Sequence, residues 1–539
     1  MKRLAAGFAV AGLVVTSLAA GAANGAVTHP ASATVRAEAT DSYTPPPITW
    51  GRCKDQTLRQ HGAQCGFLTV PLDYANPTGT TIKLAVSRIQ HTAKRYQGVM
   101  LVNPGGPGGS GLVLSILGGF VPGTSHTTYD WIGFDPRGVG ASEPSLSCNG
   151  RYFHLDRPSY VPSTPQLRNV WLRRSRSYAD ACAKATGSEL LGHVKTVDTA
   201  RDMDSLRIAL GQQKINYYGF SYGTYLGQVY ATMFPNRVRR FVLDSNVDPR
   251  TVWYQGNLDQ DVAFDRNIGI YFGWLARHHK AYHLGRSGTA IKRRWYAERR
   301  LLAQHPAGGV FGPDELTDVF TDAGYYVYDW DVIARAYANL MHHGRVAGLV
   351  RLDRAVNPVG PGTDNGYAMY LATECTDAPW PVWKKQAADN WRIHRQHPFL
   401  TWANGWYNAP CSFWHAKAGT PVHVTGANVK SPILLIDESN DAATPYEGSL
   451  EVRSLFPTSS LIEGVGGTTH AGSLSGVACV DNSVARYLAN GTVPARKPGR
   501  VSDKKCPPVP PPAATKPRGA RLLQHASPLS RVQRLSGVR

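Results

Sequence analysis

The sequence predicts a mostly parallel α/β sheet with an inserted helical cap, on three observations. Short β-branched or aromatic runs recur along the chain and end in Gly-rich or Asp-containing turns. Helical spacing separates several of these runs, as parallel strands require. Between about residues 249 and 430 the strand-like runs stop. Aromatic-rich helical stretches containing Trp274, Trp330, Trp380 and Trp414 replace them before sheet-like sequence resumes.

The runs expected as central strands are 99–103, 131–135, 215–219, 241–244 and 433–437, with a further one at 460–463. Ahead of Ile215, Ala200, Met203, Leu206 and Leu210 recur at helical spacing, with Asp198 read as the N-cap and Gly211 as the stop. A second helix runs through Tyr225, Val229 and Met233 and ends at Pro235. Ser221 therefore falls between a strand and a helix.

A chain of 539 residues can bury a large core, and length alone does not choose between one domain with an insertion and several smaller domains. At the N-terminus, Lys2 and Arg3 precede an apolar run from Leu4 to Ala20, and small residues follow up to Ala33. That pattern reads as a secretory signal over 1–33, cleaved rather than kept as an anchor because the run is short and rich in Gly and Ala. Stable membrane insertion is not expected after cleavage, and no cysteine lies near the boundary to carry a lipid. The remaining division is a flexible arm over 34–47, a first core segment over 48–248, the cap over 249–430, a second core segment over 431–506, and a disordered basic tail over 507–539.

Eight cysteines in an exported chain favour disulfides, and neighbour-to-neighbour pairing is the simplest of the many connectivities they allow. None forms a C-x-x-C pair, so no metal site is expected. The formal charge of +20 raises a nucleic-acid reading, which its distribution opposes. Six basic residues lie in the tail after Cys506, and Lys292, Arg293, Arg294, Arg299 and Arg300 cluster on an expected solvated helix face, without any zinc-finger or aromatic-basic RNA motif. Attraction to an anionic cell wall, or simple solubility, accounts for the charge.

Gly219-Phe-Ser-Tyr-Gly223 matches G-x-S-x-G, the tight strand-to-helix turn of α/β hydrolases that exposes its serine, here Ser221. A serine hydroxyl is a weak nucleophile at neutral pH, so a base must take its proton and an acid must orient that base. In this fold the chain order is Ser, acid, His. A polar loop containing Asp441 follows the run 433–437, and His470 follows the run 460–463, so these are the expected acid and base. Asp437, Glu438 and Asp244 are alternatives for the acid. The oxyanion donors are expected to be the backbone N–H groups of Tyr222 and of Gly106, in the loop Asn103-Pro-Gly-Gly-Pro-Gly-Gly-Ser-Gly111. No G-K-S/T follows that loop, which argues against a phosphate cradle. Asp135-Pro-Arg-Gly-Val-Gly-Ala-Ser142 is expected to brace the sheet rather than to enter the chemistry.

The Asn103–Gly111 loop, Asp135-Pro-Arg-Gly-Val-Gly, Gly219-Phe-Ser-Tyr-Gly-Thr-Tyr-Leu-Gly227, Asp441-Ala-Ala-Thr-Pro445 and the closing pattern from Cys479 to Cys506 together resemble the secreted tripeptidyl aminopeptidases of actinomycetes. These belong with the prolyl aminopeptidase-like serine peptidases, and the resemblance runs from about Trp50 to Cys506. It implies an α/β-hydrolase fold with a helical cap, no metal or cofactor, and peptide or protein substrates. It further implies release of tripeptides from free N-termini through an acyl-enzyme, with Ser221 as nucleophile, Asp441 as acid and His470 as base. One departure stands out: the family commonly has Gly-x-Gly-His, whereas two threonines separate Gly467 from His470 here. An aminopeptidase must also neutralise the substrate ammonium, and Glu374 and Asp377 in Ala372-Thr-Glu-Cys-Thr-Asp377 are the expected anchors, pairing with cap arginines being the alternative. A secreted esterase or lipase using the same triad is the competing reading, because the fold does not fix the substrate. An inactive wall-binding scaffold is opposed by the intact order of the three residues.

Overall fold

A computed structural model describes residues 43–514. The expected signal at 1–33, most of the arm, and the tail from 515 lie outside the described residues.

The central runs form strands because they are apolar on both sides and each is covered on both faces, the environment parallel strands need. They are β4 (Val99–Asn103), β5 (Asp130–Phe134), β6 (Ile215–Phe220), β7 (Val238–Asp244), β8 (Ile433–Glu438) and β9 (Ser459–Gly464). Every residue of β4, β6 and β8 is buried. Three strands absent from the sequence expectation precede them, namely β1 (Gly51–Arg52), β2 (Gln64–Pro71) and β3 (Thr81–Ile89), and β10 (Lys504–Cys506) closes the far edge. The order is β1-β2-β3-β5-β4-β6-β7-β8-β9-β10. Pairs from β1 to β3 and the β3–β5 pair are antiparallel, and all the rest are parallel. The strands β1–β3 escape sequence reading because they lack a continuous buried apolar run from end to end: β1 is two exposed residues, and β2 and β3 carry exposed and half-buried positions.

The helix before β6 spans Thr196–Ala209 and starts earlier than expected, so Asp198 is not its N-cap. Lys195 holds that position, and Asp198 serves three residues in, its carboxylate accepting from Lys195 N–H at 3.2 Å. The free N–H of Thr196 is satisfied from far along the chain by Asp377 at 2.7 Å. Helix Tyr222–Met233 follows β6 directly. Between β7 and β8 all named elements are helices, among them Tyr254–Arg277, Pro313–Tyr325 and Asn365–Asp377. Their buried side chains, such as Trp274, Phe320 and Trp330, are continuous with Met100, Leu434 and Ile462 of the sheet. Arg299 departs from the expected solvated face: it is buried, with its guanidinium 5.8 Å from the Trp295 ring.

Four disulfides pair neighbours in sequence, Cys53–Cys65, Cys148–Cys182, Cys375–Cys411 and Cys479–Cys506. Each closes a short or medium loop, the kind of cross-link worth about 2–4 kcal/mol. Arg137 is buried against Asp202, donating to both its carboxylate oxygens at 2.6 and 2.7 Å. Asp135 accepts from Ser110 and from the backbone of Leu112 and Ala141, so this string ties the sheet to the Gly-rich loop.

Two boundaries shift. The expected flexible arm is already packed at Tyr43, whose hydroxyl donates to the Thr69 carbonyl at 2.9 Å. The expected disordered tail also begins inside the fold: Val509 is buried, and its N–H donates to Glu438 Oε1 at 2.6 Å.

Candidate active site

Ser221 sits at the tip of β6 with φ 56° and ψ −128°, a left-handed backbone that a non-glycine residue adopts only when its surroundings impose it. The imposing contacts are short. A Cβ on Gly219 would stand 2.5 Å from the Gly223 carbonyl oxygen, and one on Gly223 would stand 2.7 Å from the Asn103 carbonyl oxygen. The two glycines of the motif therefore let strand, turn and Gly-rich loop close on one another.

One dipeptide at the end of β7 holds both sides of the site. The Asp244 carbonyl accepts from Ser221 N–H at 3.0 Å, while its carboxylate accepts from Ser473 N–H at 2.9 Å. Next to it, Ser245 Oγ accepts from Ala471 N–H at 2.7 Å. His470 stands just before these two anchored positions, Ala471 and Ser473, and is itself buried. Its N–H donates to the Tyr325 carbonyl at 2.9 Å, and its Nδ1 lies 2.7 Å from Asp441 Oδ2.

Asp441 is fully buried, and burial alone would raise its carboxyl. The charge and hydrogen bond of His470, with the N–H of Thr444, outweigh burial and hold it below the usual 3.8. Its Oδ1 accepts from Ala443 N–H at 2.8 Å and Thr444 N–H at 3.0 Å, while Oδ2 meets His470 and also accepts from Thr444 Oγ1 at 3.1 Å. The alternative acids fall elsewhere. Asp437 Oδ2 accepts from Ser449 Oγ at 2.6 Å. Glu438, pushed up to about 8 by burial, accepts from Thr469 N–H at 2.6 Å and so clamps the residue before His470. That clamp accounts for the local departure in sequence: Thr469 gives its N–H to Glu438 while its hydroxyl accepts from Val327 N–H at 3.3 Å. Among the described residues Ser221 Oγ makes no hydrogen bond, so His470 and Asp441 are the linked pair of the three.

The Gly-rich loop passes over the serine. A Cβ on Gly105 would meet the Ser221 side chain at 2.8 Å and Tyr222 N at 3.0 Å. The Gly105 N–H is taken by Asn103 Oδ1 at 2.9 Å, whereas Gly106 lines the same cavity as Ser221 and Tyr222. Gly108, at φ 91°, packs on helix 365–377: its Cβ would fall 2.3 Å from the Gly366 carbonyl oxygen. Gly108→Ala is therefore expected to lift the helix off the loop and lower kcat/KM about 100-fold, the scale on which a displacement of roughly 1 Å acts, read by steady-state kinetics.

The cavity, of about 230 Å³, lies between this floor and the helices. Glu374 lines it, with Asn257 Nδ2 donating to Oε2 at 3.3 Å. Asp377 does not line it. Its carboxylate is consumed by Thr196 N–H and Oγ at 2.7 and 2.6 Å and by Trp253 Nε1 at 3.2 Å, so it supports the floor from behind instead of meeting substrate. Sequence reading missed other wall residues, namely Asn257, Tyr370, Asp318 and Thr321. The available signal was the spacing of Asp318, Thr321 and Tyr325, three and four residues apart on one helix face.

Burial raises Glu374 from 4.5 to about 8. A carboxyl whose folded pKa is raised binds its proton more tightly in the folded chain, so stability is full below about 4.5 and falls as pH rises towards about 8. Asp261, also pushed to about 8, acts with the same sign. Glu374→Gln is expected to flatten part of that decline, checked by unfolding midpoints from about pH 5 to about pH 8.

A family model described as the alpha/beta hydrolase fold matches residues 98–471. The chain is 41% identical over 462 residues to a tripeptidyl aminopeptidase of Streptomyces lividans, covering 83% of this chain and 86% of that one. The chain belongs to the tripeptidyl aminopeptidase family of α/β-hydrolase enzymes. Two further relatives are less similar. The serine protease Hip1 of Mycobacterium tuberculosis is 29% identical over 83% of this chain and 90% of its own. A carboxylesterase B of the same organism is 30% identical over 83% of this chain and 89% of its own. The family assignment makes the chain a serine hydrolase, and the four disulfides fit an extracellular member.

Proposed function

We propose that the chain is an exported serine aminopeptidase that releases short peptides, tripeptides foremost, from free N-termini. The observation that carries this reading is the charge of the cavity. Asp248, Asp259, Asp318 and Glu447 line it as carboxylates beside Glu374, which burial keeps largely protonated near neutrality, and among the described residues no Lys, Arg or His does, in a chain of formal charge +20. An acidic chamber selects a cationic substrate, and a free peptide N-terminus is an ammonium; a neutral ester gains nothing from it.

In this reading Ser221 Oγ attacks the peptide carbonyl carbon as His470 takes its proton, and Asp441 holds the imidazole in the acceptor tautomer. The oxyanion meets the N–H groups of Gly106 and Tyr222. His470 returns the proton to the departing amine, and water then releases the acyl group from Ser221 by the same path. Glu374 contacts the substrate beside the acyl residue. The N-terminal signal and the basic tail favour export and attraction to an anionic wall.

A fluorophosphonate probe tests the nucleophile: wild type is expected to label and Ser221→Ala is not. Peptide anilides with free and blocked N-termini, beside a short-chain aryl ester, test the substrate class. Preference for the free peptide is expected. Equal cleavage of free and blocked peptides, or hydrolysis of the ester alone, would overturn the aminopeptidase reading.

A further inference from the structure

The cavity runs away from Ser221 along helix 313–325, which presents Tyr325, Thr321 and Asp318 to it in succession. The Tyr325 end is fixed to the base, through the hydrogen bond from His470 N–H to its carbonyl and through ring packing at 5.7 Å. Seven residues at about 1.5 Å of rise each put Asp318 about 10 Å farther along the same face.

Asp318 is built to hold a cation there. It accepts from Arg157 Nη2 at 2.7 Å, Asn357 Nδ2 at 2.9 Å and Tyr160 Oη at 3.1 Å, and Tyr160 and Asn357 line the cavity beside it. Glu315 and Asp353 stand 3.5 and 3.6 Å from the same guanidinium, so three carboxylates share Arg157. Asp353 is fully buried, and its Oδ2 has no hydrogen-bond partner. Of the four side chains only Asp318, at 13% exposure, reaches the cavity.

The other acids of the lining are placed differently. Asp259 and Glu447 are exposed, where solvent screens them, and Asp248 is paired with the exposed Arg250 at 2.6 Å. Glu374 is four residues from Tyr370, whose backbone N abuts Gly108 of the oxyanion loop, and three from Asp377 beneath Tyr222. It belongs to the nucleophile end.

An extended peptide advances about 3.3 Å per residue, so three residues place the N-terminal nitrogen about 10 Å from the reacting carbonyl. We infer that Asp318 pairs with the substrate's N-terminal ammonium, and that helix 313–325 acts as a ruler that sets the released fragment at three residues. This rests on the aminopeptidase reading and supplies its length specificity. A dipeptide falls one residue short of Asp318, and a tetrapeptide drives its ammonium past it.

The test uses the full chain and alanyl anilides of two, three and four residues, with the N-acetylated tripeptide as control. Asp318→Asn is expected to lower kcat/KM for the free tripeptide about 100-fold, mostly through KM, and to leave the acetylated one unchanged. Thr321→Asp places a carboxylate one turn nearer His470, about 4.5 Å, and is expected to raise the dipeptide-to-tripeptide ratio at least tenfold. It carries the test alone if Asp318→Asn does not fold, as judged by fluorophosphonate labelling of Ser221. A tripeptide rate unchanged in Asp318→Asn, equal losses on free and acetylated substrates, or an unmoved length ratio in labelled Thr321→Asp overturns the ruler alone. A wild type that cleaves no free-N-terminal anilide overturns the aminopeptidase reading, and the ruler with it.

Discussion

Replacement of Ser221 by Ala is expected to lower kcat about 10⁶-fold and to abolish fluorophosphonate labelling, with the unfolding midpoint unchanged. The two parts of that result have separate causes. In the proposed mechanism, losing the hydroxyl removes the atom that forms the acyl-enzyme, so only binding and the oxyanion donors remain to assist water. The fold is spared because Ser221 Oγ makes no hydrogen bond to any described residue, and the strained turn is imposed by the contacts of Gly219 and Gly223 rather than by the side chain. A variant retaining more than about one per cent of the wild-type kcat would place the nucleophile elsewhere.

Asp441→Asn is expected to cost about 10⁴-fold in kcat, again without unfolding, measured beside Asp437→Asn and Asp244→Asn. Asn at 441 keeps an oxygen for the N–H groups of Ala443 and Thr444, now held at 2.8 and 3.0 Å, and must then turn its NH₂ towards His470 Nδ1. A donor facing Nδ1 forces the proton onto Nε2, and the ring can no longer act as a base towards Ser221. Asp437 and Asp244 meet serine hydroxyls instead of His470, so their Asn variants are expected to report on stability first. A larger kcat loss at either would reassign the acid.

The central strands and the order Ser221, Asp441, His470 were legible because each depends on local sequence: a short buried run, and a polar loop at its end. Features built from contacts between distant segments were not. The start of helix 196–209 was misread because Asp377, 181 residues away, satisfies Thr196. Glu374 and Asp377 look equivalent as neighbouring acids in one hexapeptide, yet one lines the cavity and the other is spent behind it. Glu438 could be noticed as a carboxylate beside the expected acid. That it holds the backbone of Thr469 is visible only once β8 and the loop after β9 are side by side.

The bond from Val509 N–H to Glu438 ties the stretch after β10 to the residue that holds the loop of His470. A single carboxylate holds the loop of His470, through Thr469 N–H, with one oxygen and Val509 N–H with the other. That stretch follows β10, which the Cys479–Cys506 bridge ties to helix 478–490. A change at Val509 would therefore reach the loop of His470 through Glu438, 71 residues back along the chain.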